Sequence, residues 1–144
     1  MMGMDENSVA VYGGIFRSLQ DAENFMALVD GKPKRFYEEL YLQGDFKGQI
    51  EIKFLEKKTN KAEELYCDFP DGDTIVEGLK ARFLSKLKRQ VNTAIVIYGF
   101  YPGAHFTGHN YSMMREKKTE EFYLFHVDNI VGTKRFDKME QEEL

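Results

Sequence analysis

Three histidines are the first residues whose types and spacing bear on chemistry. His105 and His109 lie four apart and His126 follows later in the chain; three imidazoles are enough to hold a catalytic zinc. The pair falls in His105-Phe106-Thr107-Gly108-His109, after Pro102-Gly103, so it belongs to a loop, where an i,i+4 spacing does not place two side chains on one face as it would on a helix. No glutamate stands where the H-E-x-x-H arrangement needs one. The single cysteine, Cys67, has Leu65, Tyr66, Asp68 and Phe69 around it and no base. A neighbouring carboxylate raises a thiol pKa, so the expectation is a buried, unreactive cysteine.

Other catalytic patterns fare no better. Gly13-Gly14 follows an apolar run as a phosphate-binding turn would, yet Phe16 and Arg17 stand where glycine or lysine would be required. Ser8, Ser18, Ser85 and Ser112 lack a G-x-S-x-G context. Glu38-Glu39 and Glu63-Glu64 are adjacent, and neighbours on a helix diverge by about 100°, so neither pair forms an acid/base couple. No catalytic residue and no cofactor is expected.

Charge is more informative. The net charge is −4, but Asp and Glu outnumber Lys and Arg 16 to 9 over Met1–Leu79, fall to 1 against 8 over Lys80–Lys118, and lead again 7 to 3 over Thr119–Leu144. Glu63, Glu64, Asp68, Asp71, Asp73 and Glu77 gather around a Pro-Asp-Gly turn, together with Tyr66 and Phe69. Carboxylates beside exposed aromatics can imitate a phosphate backbone and anchor a basic protein partner. The same residues also describe a solvated helix–turn–helix corner with Asp73 as its cap. The basic block, interleaved with Tyr98, Phe100, Tyr101, Phe106 and Tyr111, is the pattern for nucleic-acid binding, which the negative total charge opposes.

The elements that would position these residues follow from periodicity. Ser8–Tyr12 reads as a buried strand stopped by Gly13-Gly14. Ser18 and Asp21 resemble a capping box opening a helix through Leu19, Ala22, Phe25, Met26 and Val29, ended by Asp30-Gly31-Lys32-Pro33. Arg35–Leu42 suits a short helix through Phe36 and Leu40, although its aromatics also fit a strand; helix is the favoured reading. Ile50, Ile52 and Phe54 alternate as one face of a strand over Gln49–Glu56. Asn60 and Glu63 mark another helix start, and Asp73 caps a long amphipathic helix with Val76, Leu79, Phe83, Leu84 and Leu87 inward and Lys80, Arg82, Lys86, Lys88 and Arg89 outward. Thr93–Phe100 is apolar enough for a central strand. Pro102–Asn110 is a loop, Tyr111–Met114 a short strand and Glu121–Val127 a further strand.

With 144 residues, Phe 12 and Tyr 8, the chain can bury a core as one domain over 1–144, with residues 1–7 a disordered leader and 133–144 a fraying tail. The order of elements predicts an α+β fold: one mixed, mainly antiparallel sheet of about four to five strands with helices mostly on one face. One cysteine excludes a disulfide framework, and no apolar run is long enough to span a membrane; the expected location is the cytoplasm.

Val9-Ala10-Val11-Tyr12-Gly13-Gly14-Ile15-Phe16, followed by Ser18 and a helix, resembles the opening of the Immunity protein 22 family of bacterial toxin-immunity proteins, whose first strand ends in V-x-x-W-x-G-x-F. Val9, Gly14 and Phe16 match, and Tyr12 replaces the tryptophan. Ile50-Glu51-Ile52-Lys53-Phe54 after an aromatic-acidic segment, and Ile95–Phe100 followed by Tyr101, extend the similarity across Val9–Tyr101. The resemblance implies a cytoplasmic protein that binds and neutralises a cognate toxin, often a nuclease, without chemistry of its own. The leading expectation is therefore a non-enzymatic partner-binding module using the Glu63–Glu77 segment. The rivals are a small metal-dependent enzyme built on His105, His109 and His126, and nucleic-acid binding through Lys80, Arg82, Lys86 and Arg89.

Overall fold

The structure, a computed structural model, describes residues 7–131. The expected leader, apart from Asn7, and the expected tail lie outside the described residues. The first strand, β1 (Ser8–Ile15), is apolar without alternation because both of its faces are covered. Val9 and Val11 enter one core with helical residues such as Leu65 and Leu79, while Ala10 and Tyr12 enter a second with Phe25 and Phe36. Successive side chains of a strand point to opposite faces, so the two cores flank the sheet.

That sheet has five strands in the order β4-β5-β1-β7-β6, formed by β4 (Gln49–Lys61), β5 (Lys86–Tyr98), β1, β7 (Tyr123–Val131) and β6 (Glu116–Lys118), with every pairing antiparallel. The α+β class stands as expected. Gly13 and Gly14 do not stop β1; they pair with Ala94 and Thr93 on one side and Phe125 and Leu124 on the other. Their reason is proximity, since a Cβ on Gly14 would lie 2.6 Å from the Tyr123 carbonyl oxygen.

The helices lie on both faces rather than mostly on one. Helices α1 (Leu19–Phe25) and α2 (Lys34–Glu39) contribute Ala22, Phe25, Phe36 and Tyr37 to the Tyr12 side, and α3 (Ala62–Tyr66) and α4 (Gly72–Ala81) contribute Leu65, Tyr66, Ile75 and Leu79 to the Val11 side. Ser18 caps α1 as expected, its hydroxyl accepting from the Asp21 amide at 3.1 Å. The helix ends at Phe25, however, and Val29 is exposed in a hairpin of β2 (Leu28–Val29) and β3 (Lys32–Pro33). Asp30 and Gly31 both carry positive φ, which a two-residue hairpin turn requires.

The largest correction concerns residues 82–92. The long helix capped by Asp73 is instead α4, which follows Asp71 in a left-handed conformation with no side-chain cap and ends at Ala81. Lys86, Lys88 and Arg89 therefore sit on β5, where alternation buries Leu87 between exposed Lys86 and Lys88. Asn60 lies in β4 and does not cap α3. Tyr111–Met114 is helical: α5 (Tyr111–Arg115) starts where the Asn110 side chain accepts from the Ser112 amide at 2.9 Å. No helix among the described residues is long and apolar enough to cross a membrane.

Candidate functional site

The acidic segment forms the corner between α3 and α4, with the turn Pro70-Asp71 between them. Apolar residues at helical spacing turn Ala62, Leu65 and Tyr66 of α3 and Ile75, Val76 and Leu79 of α4 inward. The carboxylates are thereby left outside: Glu63, Glu64, Asp68, Asp73 and Glu77 are exposed and Asp71 is half-buried. Gly72 lets the two helices close together, because a Cβ there would meet the Cys67 and Tyr66 carbonyl oxygens at 2.3 and 2.5 Å.

Several of the carboxylates are tied back to the scaffold. Asp68 receives the Lys53 ammonium of β4 at 2.7 Å, and this hydrogen bond and charge hold its pKa below the ordinary carboxylate value. Glu64 accepts from the Thr59 hydroxyl at 2.7 Å, and Glu77 lies 3.9 Å from Lys80. The corner is acidic but ordered.

The aromatics expected to stand exposed beside these carboxylates do not. Tyr66 is wholly buried and its hydroxyl donates to the Tyr12 carbonyl at 2.9 Å; Phe69 is also core, its ring 6.2 Å from that of Tyr66. They support the corner from beneath and offer a partner no surface. Cys67, expected to be buried, is exposed, with Sγ 3.6 Å from Asp68 Oδ1. Desolvation and the Asp68 charge push its thiol above the usual value, so the expectation of low reactivity keeps its physical basis.

The histidines are dispersed. His105 stacks on Phe100 at 4.8 Å, with Nδ1 3.0 Å from the Gln43 carbonyl oxygen. His109 is exposed in the loop before α5. His126 is buried on β7, where Nε2 lies 3.0 Å from Asn129 Oδ1 and its ring centroid is 5.1 Å from that of Tyr12. Burial pushes its pKa down to about 4. Among the described residues no three His, Cys, Asp or Glu side chains come together as a metal site, so the geometry gives the three-histidine reading no support.

The basic segment is also divided. Lys88 pairs with Glu116 at 2.7 Å, Arg82 with Asp128 at 3.2 Å and Lys117 with Glu39 at 3.5 Å, while Tyr98 and Phe100 are core residues rather than stacking platforms. Lys80 and Arg82 belong to α4 and the residue after it, whereas Lys86 and Arg89 belong to β5.

Phe83 is the residue that periodicity misplaced most. Its spacing fits a buried helical stripe, yet it is 95% exposed just beyond the end of α4. It stands beyond the C-terminal end of α4, the end away from the α3–α4 corner, with Lys80 and Arg82 as its charged neighbours in the chain. Nothing in the local sequence distinguishes it from an inward-facing residue. No protein-family model, curated protein or solved structure matches this chain.

Proposed function

We propose that the protein is a non-enzymatic binding module that neutralises a basic protein partner, in the manner of a bacterial toxin-immunity protein, through the outer surface of α3 and α4. The observation that carries this reading is the exposure of Glu63 and Glu64 on α3, Asp68 in the turn after it, and Asp73 and Glu77 on α4, two consecutive helices whose inner residues are core. Exposed carboxylates on a rigid support attract and orient a cationic partner with little ordering cost, so their main effect is on the rate of association. Phe83, at the far end of α4, supplies a large apolar contact of the kind that dominates interface energy. The resemblance of Val9–Phe16 to the Immunity protein 22 family supports the same class of function.

The test is a binding screen of this chain against the purified products of the genes that flank its own. The double charge reversal Glu63→Lys and Glu77→Lys is expected to slow association about tenfold at low ionic strength, with the difference shrinking as salt screens the charges. An unchanged association rate would remove the corner from the interface, and no complex at all would overturn the immunity reading.

A further inference from the structure

A second feature, independent of the acidic corner, is a cleft of about 400 Å³ between the start of β5, helix α5 and strand β7. Its apolar walls are Leu84, Leu87, Phe125 and Val127. The polar groups collect at one side. Lys88 and Glu116 cancel one another across 2.7 Å, and the Lys88 ammonium also lies 4.8 Å from the centre of the Phe125 ring. Arg115 is different: its guanidinium rests 5.4 Å from the centre of the Tyr111 ring and has no carboxylate partner among the described residues. Among the described residues the rim therefore carries one uncompensated positive charge beside an apolar interior.

His126 forms part of the same wall and is only 6% exposed. With Nε2 engaged by Asn129, its Nδ1 atom is left without a hydrogen-bond partner among the described residues. The neighbouring Tyr12 hydroxyl is likewise buried and unpaired. Buried polar groups are seldom left in this state in a native protein. Both side chains, however, face the Tyr12–Phe36 core, on the side of the sheet opposite Leu87, Phe125 and Val127, so they stand behind the cleft and are not among the groups that would receive its ligand.

We propose that this cleft binds a free amphipathic carboxylate, with the carboxylate on Arg115 and the apolar body between Leu84, Leu87, Phe125 and Val127. A guanidinium matches a carboxylate with two parallel hydrogen bonds. The volume falls in the range of small-molecule sites, and mostly apolar walls with a few convergent polar groups are the usual composition of such sites. The free charge selects an anion over a neutral molecule of the same shape. A protein segment would need a longer continuous surface than the cleft presents.

The experiment is a titration of the full chain with octanoate, followed residue by residue in amide NMR spectra, with 1-octanol as the neutral comparison. Saturable shifts are expected at Leu84, Leu87, Arg115 and Val127, with octanol at least tenfold weaker. Arg115→Met should weaken octanoate binding about tenfold or more, and Leu84→Trp, which fills the cleft from its rim, should abolish it while leaving the spectrum of a folded protein. Absence of saturable shifts, equal binding of octanol, or full binding by the folded Arg115→Met variant would each overturn the proposal. None of these readings depends on the protein partner.

Discussion

The hydroxyl of Tyr66 on α3 donates a 2.9 Å hydrogen bond to the main-chain carbonyl of Tyr12 on β1, 54 residues away. It lands where the register between β1 and β7 shifts, between Val11 and Tyr12, so the helix is fastened to the central strand at its irregular point. Burial holds the phenol in its neutral, donating form. Tyr66→Phe keeps the ring and removes the donor. It is expected to cost about 1–2 kcal/mol in urea unfolding, with partner association unchanged because Tyr66 is beneath the surface. A loss below about 0.5 kcal/mol would show that the bond contributes nothing net.

This long-range bond also marks the limit of what the sequence reveals. Strict alternation exposed the Gln49–Phe54 strand, the continuous apolar run exposed the end of β5, and Ser18 with Asp21 exposed the α1 cap, because each is governed by neighbours in the chain. The burial of Tyr66 and Phe69 depends on β1, β5 and the turn after α3, which no local pattern encodes. Likewise Val76, Leu79, Phe83, Leu84 and Leu87 satisfy a helical period, although Leu84 and Leu87 belong to the turn and strand beyond α4. Gly13 and Gly14 looked like a break because their reason is contact with Leu87 and Tyr123, distant in sequence. The acidic composition of the α3–α4 corner was legible; the Arg115 cleft, assembled from three separate segments, was not.

His126 gives the protein a defined acid sensitivity. Its ordinary pKa of 6.5 is lowered to about 4, chiefly by burial, with the Arg115 charge acting in the same direction and Asn129 and Asp128 opposing. Between those values the unfolded chain binds a proton that the folded chain refuses, so the contribution is complete above pH 6.5 and is lost as pH falls towards 4. The loss amounts to about 3 kcal/mol at its limit. His126→Gln retains an amide able to bond Asn129 but cannot titrate. Stability measured against pH should therefore fall less steeply in the variant between pH 6.5 and 4; parallel curves would mean that His126 is not the group responsible.

Phe83 occupies a left-handed backbone position that its exposed ring does nothing to offset by packing. The end of α4 is a Schellman motif: the Leu84 amide bonds the Leu79 carbonyl at 2.8 Å and the Phe83 amide bonds the Lys80 carbonyl at 3.0 Å. The motif places Phe83 at φ 63, where glycine is the usual occupant and a bulky side chain costs about 1–2 kcal/mol. Since the ring is 95% exposed, its removal sacrifices almost no packing. Glycine's larger unfolded-state entropy offsets part of the relief. Phe83→Gly should thus raise stability by about 0.5–1 kcal/mol, visible as a higher Tm. If Phe83 is the aromatic contact of the proposed partner surface, the same variant should dissociate from that partner at least tenfold faster, a change on the order of 1.4 kcal/mol. A variant that melts higher and binds equally well would leave the strained conformation unexplained and remove Phe83 from the interface. One that melts lower would show that the ring stabilises the fold.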